Sequence, residues 1–204
     1  IQFQESTVAV ERCRVVDNVN GLQFRDSTVT LSDSVISGNY WGVRCVYSDL
    51  DLRRCRIEGN LVNGANLRDT TVRASGNRVA GNRRGLYLQR SRGTVTANDL
   101  LDNSEHGIFL EDSDCEVEGN RVAGNGRAGI RWVASRGRLS GNRLTDNGEY
   151  ALINDGADPL DARGNWWGTA DPVAIAAAIR DGADRPGAGA VDASAALPAA
   201  PADN

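Results

Sequence analysis

Residues 77–91 read NRVAGNRRGLYLQRS, residues 98–113 read NDLLDNSEHGIFLEDS, and residues 120–135 read NRVAGNGRAGIRWVAS. Each copy begins with an Asn, has an apolar residue two positions later and a second Asn five positions after the first. A Gly, an alternating apolar strand and a small hydroxyl residue follow. The first Asn recurs every 21 to 23 residues, at Asn77, Asn98, Asn120, Asn142 and Asn165. A fixed period of this length, built from short strands and turns, is typical of a solenoid.

The same register extends towards the N-terminus, where other residues replace the first Asn. That position is taken by Cys13, Ser34 and Cys55, and the second Asn position by Asn18, Asn39 and Asn60. Seven successive turns are therefore in register. Phe3 and Ser6 fit one further, incomplete copy, so we expect the chain to begin in the middle of a turn and upstream residues to be missing.

In a parallel coil, equivalent residues stack at the ~4.8 Å spacing of hydrogen-bonded strands. The alternation places Val72 and Ala74 inside and leaves Arg73 and Ser75 outside. An Asn at each bend suits left-handed backbone geometry and a hydrogen bond to its stacked copy. The Gly at the next bend, as at Gly85, predicts a tight turn with positive φ.

The copies at 75–91 and 118–135 resemble the repeats of the large bacterial right-handed parallel β-helix family, with a pectate-lyase-like fold and NosD-like repeats. The resemblance implies an all-β chain: one right-handed parallel β-helix of about seven full turns over residues 1–168. NWWG at 165–168, followed by DP and DG, resembles the closing motif of such proteins, where the coil stops. We expect a capping helix within 169–182 and an extended Ala/Pro/Gly-rich tail over 183–204. The expected helix features are Asp171 as N-cap, Pro172 at N1, Gly182 after the C-terminus, and an apolar face of Val173, Ile175, Ala176 and Ile179.

Composition limits the classes of function. The chain has 27 acidic and 23 basic residues and a net charge of −4, which argues against nucleic-acid binding. The four Cys show no metal-type pair, so we expect buried free thiols. No apolar run is long enough to span a membrane. The resemblance implies an extracellular, cell-surface or periplasmic protein.

An arginine row follows the first Asn position, on the outside of the predicted coil. Its members are Arg14, Val35, Arg56, Arg78, Asp99, Arg121 and Arg143. Stacked guanidinium groups repel one another unless anions lie among them. The row is therefore either a solvated, partly ion-paired face or a binding site for acidic polysaccharide, in which Arg56, Arg78, Arg121 and Arg143 bind the ligand.

The segment around His106, the single His of the chain, is the other candidate site. Candidate catalytic residues are Glu105, His106, Glu111 and Arg131, with Tyr87 and Phe109 as aromatic ligand contacts. β-Helix enzymes that hydrolyse pectin combine clustered Asp with a His-Gly and an Arg-x-Lys; His106 precedes a Gly here, but the chain has no Lys. Acidic residues at 111–116 suggest calcium, but Arg neighbours in adjacent turns argue against it, so we expect no metal and no cofactor.

Three functions remain open. The first is a non-enzymatic structural, adhesion or assembly module that contacts acidic polysaccharide or another protein subunit. The second is a polysaccharide lyase, hydrolase or epimerase with its site near His106. The third is a NosD-like periplasmic maturation or accessory protein, for which we would expect a metal-handling cluster that the sequence does not show.

Overall fold

A computed structural model describes residues 1–201. The chain forms a parallel β-helix of about seven turns, as predicted, in which three short strands per turn belong to three separate sheets. Each strand pairs in parallel with the strand one turn earlier and one turn later, as in Val79 between Ile57 and Leu100. A short fourth pairing lies near the C-terminus.

Sheet 1 has nine strands: β1 Gln2–Gln4, β4 Asn20–Arg25, β7 Trp41–Val46, β10 Asn63–Arg68, β13 Arg84–Gln89, β16 Ile108–Glu111, β19 Ala128–Val133, β22 Tyr150–Asn154 and β24 Ile179–Arg180. Sheet 2 has seven strands: β2 Thr7–Glu11, β5 Thr28–Ser32, β8 Asp49–Arg53, β11 Thr71–Ser75, β14 Arg92–Thr96, β17 Asp114–Glu118 and β20 Arg136–Ser140. Sheet 3 has seven strands: β3 Arg14–Val16, β6 Val35–Ser37, β9 Arg56–Glu58, β12 Arg78–Ala80, β15 Asp99–Leu101, β18 Arg121–Ala123 and β21 Arg143–Thr145. The remaining pair is β23 Leu160–Asp161 with β25 Val191–Asp192, and the one helix in the described residues is α1 Pro172–Ala177.

The core is a narrow column of side chains that point inward from all three sheets. Leu86, Ile108 and Ile130 stack in one row of sheet 1, and each is almost fully buried. Removing stacked aliphatic side chains from water supplies the main stabilising free energy of such a column.

The predicted asparagine ladder forms at the corner between sheets 2 and 3. Asn120 illustrates it: its backbone N–H and its Nδ2 both donate to Oδ1 of Asn142, at 3.0 and 2.9 Å, and Nδ2 also donates to the Val95 carbonyl at 2.8 Å. These amides are buried, yet their hydrogen-bonding groups are satisfied, which offsets the cost of burying them. The left-handed backbone belongs to the preceding residue, such as Gly119 with φ of 64°, and not to the Asn as predicted.

The glycine row has a different cause from the one that the sequence suggested. Gly85 and its stacked copies do not have positive φ. A Cβ atom on Gly85 would instead overlap the carbonyl oxygen of Gly107 on the next turn. Glycine is required here because successive turns approach each other closely, so the prediction of a positive-φ turn was wrong.

The coil continues past Trp167, where the sequence suggested that it stops. The residues after α1 add a further partial turn, because β24 pairs with β22, β25 pairs with β23, and Leu197 N–H donates to the Asn165 carbonyl at 2.9 Å. Part of the predicted tail is therefore strand. Residues 202–204 of that tail lie outside the described residues.

The helix is present but shorter than the predicted segment 169–182. Asp171 is the N-cap and accepts a 3.1 Å hydrogen bond from Val173 N–H, with Pro172 at the first helical position, as predicted. The helix ends at Ala177, so Gly182 is not the residue after its C-terminus. Of the predicted apolar face only Ile175 is buried within the helix, because Val173 and Ala176 are exposed. Ile179 is buried but lies beyond the helix, in β24.

All four Cys are free thiols, as expected, but Cys13 is exposed, so the expectation of buried thiols was wrong at that position. Burial raises the pKa of Cys115 to about 12 and that of Cys45 further. Neither thiol ionises near neutral pH. Within residues 1–201, no helix has both the length and the apolar character needed to cross a membrane.

Candidate functional site

The arginine row lies on the outer face of sheet 3 with the predicted stacking. Arg14, Val35, Arg56, Arg78, Asp99, Arg121 and Arg143 are register partners on consecutive strands. Inward neighbours such as Val122 are buried, so the row is the solvent side of the sheet.

Part of the arginine row is already neutralised within the protein. Glu58 accepts hydrogen bonds from both Arg56 and Arg78, each at 2.9 Å. Asp99 occupies one position of the row between Arg78 and Arg121. Arg56 and Arg78 are therefore partly neutralised within the protein, and Arg121 and Arg143 make up the C-terminal half of the row.

A groove of about 600 Å³ runs beside that half of the row. Arg78, Asp99, Arg121 and Arg143 line one side, and Pro201 lies at its edge. Gly119, with φ of 64°, forms part of the floor, and a Cβ atom there would meet no atom within 4 Å. The groove is open, polar and lined by more basic than acidic side chains.

The second group surrounds His106 on the outer face of sheet 1, where the structure brings all the predicted residues of this segment together. The His106 ring contacts the edge of Phe109, with ring centroids 5.6 Å apart, and Tyr87 packs on Phe109 at 5.1 Å. Arg131 stacks on the other side of Phe109, at 4.9 Å from its centroid. Arg84, which sequence reasoning missed, lies 5.4 Å from the same ring. We call these residues the His106 cluster.

His106 is buried, only 1% exposed, although it occupies a corner. Its Nδ1 has no hydrogen-bond partner among residues 1–201. Burial lowers the pKa of His106 to about 4, and the positive charges of Arg131 and Arg127 contribute. The ring is therefore neutral at pH 7, and it is a weak base there.

The acidic residues of the His106 cluster are held in hydrogen bonds. Glu105 pairs with Arg83 at 2.8 Å and with Arg84 at 2.7 Å. Burial alone would raise the pKa of Glu105, but those two arginines hold it below its usual value. Glu105 is therefore ionised near neutral pH. Glu111 accepts hydrogen bonds from Tyr87 Oη at 2.5 Å and from Gln89 at 3.1 Å.

Asp155 pairs with three arginines beside the His106 cluster, and it was not among the residues predicted from the sequence. Its side chain is 3% exposed and pairs with Arg131 at 2.9 Å, Arg180 at 2.8 Å and Arg185 at 2.6 Å. Burial would raise the pKa of Asp155, but the Arg185 hydrogen bond and the charges of Arg131 and Arg180 outweigh it and lower the pKa. The only sequence signal is position: Asp155 follows Asn154, the register partner of Trp132.

The ligand-binding candidates do not form one site. Tyr87 and Phe109 lie on sheet 1, whereas Arg56, Arg78, Arg121 and Arg143 lie on sheet 3. The described part of the chain contains no group of three or more His, Cys, Asp or Glu side chains arranged to hold a metal ion.

Comparison with known proteins gives one family match. A family model described as "Periplasmic copper-binding protein (NosD)" matches residues 2–167. No curated protein matches the chain. Two solved structures of trypsin-treated QnrB1 variants, described as a plasmid-mediated fluoroquinolone resistance protein, are similar to it. The first is 15% identical over 78% of this chain and 83% of that chain, with a TM-score of 0.33. The second is 13% identical over 97% and 90%, with a TM-score of 0.30. These TM-scores are too low to carry a conclusion about this chain.

Proposed function

Because the chain belongs to the NosD family, whose model is described as a periplasmic copper-binding protein, we propose that it is a periplasmic accessory protein that acts by binding, not by catalysis. The family match carries this proposal, since it covers residues 2–167 and so nearly the whole regular coil. The rigid column, in which each turn contacts only its neighbours, suits the display of a binding surface.

The chemistry of the His106 cluster favours binding over catalysis. Acid–base catalysis near neutral pH needs a group whose pKa lies close to that pH and whose proton can reach the substrate. His106 has its pKa lowered to about 4 and is buried. The carboxylates of Glu105 and Asp155 are held ionised by arginines.

The residues present do not fit a copper site. Copper sites in proteins use Cys, Met and His ligands, and this chain has no Met, four Cys and one His. Cys45 lies in β7 and Cys115 in β17, three turns further along the coil, or ~14 Å away. We therefore carry the periplasmic part of the family description to this chain, and not copper chelation by its own side chains.

Cell fractionation tests the proposed location and role. The protein, tagged in the cells that produce it, is expected in the periplasmic fraction. The purified protein should release no unsaturated products or new reducing ends from acidic or neutral polysaccharides. Recovery in the cytoplasmic fraction, or polysaccharide cleavage that is lost in His106→Gln, would contradict the proposal.

A second candidate function is the binding of acidic polysaccharide along the arginine row. The groove favours it, because it is open and is lined by Arg78, Arg121 and Arg143. Binding of a uronate-containing or sulfated oligosaccharide, measured by calorimetry, tests this candidate.

A further inference from the structure

The corner that joins sheet 3 to sheet 1 changes its chemistry along the column. In three early turns it carries exposed apolar side chains: Val19 is 78% exposed, Tyr40 47% and Leu61 68%. In later turns the same corner carries ion pairs, Arg83 with Glu105 and Arg127 with Glu149. Ion pairs are what a solvent-exposed corner normally carries, so the later turns are as expected. The exposed apolar side chains of the early turns are not.

The three apolar residues form one continuous patch, which we call the apolar corner. Each directly follows an Asn of the second ladder, at Asn18, Asn39 and Asn60. Tyr40 N–H donates to the Asn18 carbonyl at 3.1 Å, and Leu61 N–H donates to the Asn39 carbonyl at 2.8 Å. The side chains consequently stack at about the ~4.8 Å spacing of the turns.

Trp41 extends the apolar corner onto sheet 1. Its ring meets the Tyr40 ring edge-on, with centroids 5.9 Å apart, and it is only partly buried. The patch therefore combines two aliphatic side chains with a fixed aromatic pair. Contiguous exposed apolar residues on a polar protein mark interaction sites.

Basic side chains lie on the outer face of sheet 1, further along the strands that begin at the apolar corner: Arg44 is four residues after Tyr40, ~13 Å along an extended strand. A groove of about 160 Å³ on the outer face of sheet 1 is lined by Arg25, Arg44 and Arg68, with Val46 and Phe3 among its apolar contacts. Arg44 is exposed and stacks between two amides, Gln23 and Asn66. No carboxylate of residues 1–201 pairs with it. Within residues 1–201, Arg25 and Arg68 form ion pairs with their sequence neighbours, Asp26 and Asp69, and Arg68 also stacks on Tyr47 at 5.9 Å.

We infer that the apolar corner and the groove at Arg44 form a docking surface for a partner protein that presents an apolar side chain and, ~13 Å from it, an Asp or Glu. The inference rests on the accessory role proposed above and names the surface that performs it. Tyr, Trp and Arg are the residues that dominate protein interfaces, and all three occur on this corner and the adjoining face of sheet 1. Charge complementarity selects an acidic partner, because Arg44 pairs with no carboxylate within residues 1–201.

The composition of the patch favours a protein over a polysaccharide. Sugar rings bind through hydrogen bonds and flat aromatic faces, but Val19 and Leu61 supply neither. Aliphatic side chains gain free energy by covering other apolar surface. The polysaccharide candidate belongs to the arginine row on sheet 3, so the two surfaces are tested independently.

Site-specific photocrosslinking tests the docking surface. Benzoylphenylalanine is placed at position 61 of the full-length protein in the cells that produce it, and at position 173 as a matched control, since Val173 is 76% exposed and apolar. We expect one discrete crosslinked protein from position 61 and none from position 173. Arg44→Glu should abolish that crosslink by repelling the acidic partner.

The captured protein is then purified and its affinity measured. Leu61→Ser should weaken binding by about tenfold or more, the loss typical of a central interface residue, whereas Val173→Ser should not change it. All variants must melt at the wild-type temperature. No crosslink at position 61, equal crosslinking at 173, a crosslink only to a second copy of this chain, or affinity unchanged in Leu61→Ser and Arg44→Glu would each overturn the inference. Cytoplasmic fractionation would overturn the periplasmic role and leave this result standing, so the two failures are distinguishable.

Discussion

Arg131 donates a hydrogen bond of 2.9 Å to the carboxylate of Asp155, which lies just after the next strand of sheet 1. The same guanidinium stacks on Phe109, one turn earlier. Arg131 therefore links three successive turns. Arg180 and Arg185 approach Asp155 from the last partial turn, so this one carboxylate ties the end of the coil to its regular part.

Replacing Asp155 should loosen the C-terminal turn. Asp155→Asn leaves three arginines without their shared anion, which should lower the free energy of unfolding by about 1–3 kcal/mol. This expected loss is smaller than the usual cost of breaking a buried ion pair because the arginine side chains are 30–56% exposed. Thermal melting measures this loss. Asp161→Asn, which removes the carboxylate of the mostly exposed Arg163 pair, should have a much smaller effect. Equal effects of the two substitutions would contradict the central role of Asp155.

Asp155 also makes stability depend on acid pH. Its folded-state pKa is lowered from 3.8, so the unfolded chain binds the proton more readily than the folded one. The stabilisation is present above pH 3.8 and is lost as the pH falls through the lower folded-state pKa. We expect the wild type to lose more stability than Asp155→Asn between pH 4.5 and the acid unfolding transition, measured by chemical denaturation at each pH. Parallel pH curves for the two proteins would show that the pKa of Asp155 is not lowered.

His106 should add a second pH dependence, at higher pH. Its pKa is 6.5 in the unfolded chain and about 4 in the folded protein, so the unfolded chain takes up a proton at a higher pH. The free energy of unfolding is therefore unaffected above pH 6.5 and decreases as the pH falls towards 4. The difference corresponds to about 3 kcal/mol at most, at roughly 1.4 kcal/mol per pKa unit. His106→Phe removes the titrating group and should flatten stability across this window. A wild-type curve that is already flat between these pH values would mean that His106 is accessible to protons.

The asparagine ladder should be sensitive to an apolar substitution. Asn120→Leu removes the oxygen that accepts from Asn98 N–H and Nδ2, and removes the Nδ2 donor to the Val95 carbonyl. Asn142 Oδ1 keeps only the backbone N–H of residue 120 as a donor. We expect a loss of about 1–3 kcal/mol through unsatisfied buried groups. Asn20→Leu is the control, because Asn20 is exposed. A melting temperature unchanged by Asn120→Leu would place this side chain outside the interior.

The coil could be predicted because the sequence period equals the length of one turn, so the residues that repeat are the ones that stack. An Asn every 21 to 23 residues has to stack on itself, and the row from Asn77 to Asn165 does so. The partial turn after α1 was missed because β24 and β25 have two residues each and lie among alanines, too short to show alternation. The ion pairs of Asp155 were missed because one of its partners, Arg185, lies 30 residues further along the chain and outside any repeat.

The glycine row shows a limit of a different kind. A recurring Gly indicates only that a side chain is excluded, not why. At Gly85 the reason is the neighbouring turn and not the backbone angle. The sequence does not show how closely two turns approach, so it could not distinguish close packing of the turns from a positive φ.

The arginine row gives the last prediction, an affinity that depends on ligand length and salt. Exposed ion pairs contribute only ~0.2–1 kcal/mol each, so a single acidic sugar should bind too weakly to detect. Several contacts on one oligosaccharide add, and we expect micromolar or weaker binding that strengthens with chain length and disappears at high salt. Changing Arg56, Arg78, Arg121 and Arg143 to Ser should abolish it, because the contacts that add along the oligosaccharide are then removed together. The matched control changes four exposed arginines of sheet 2 to Ser: Arg73, Arg92, Arg136 and Arg138. The control alters the net charge by the same amount. Loss of binding in both variants would mean general electrostatic attraction. Binding that survives the fourfold change in the arginine row would leave that row as an ordinary solvated face.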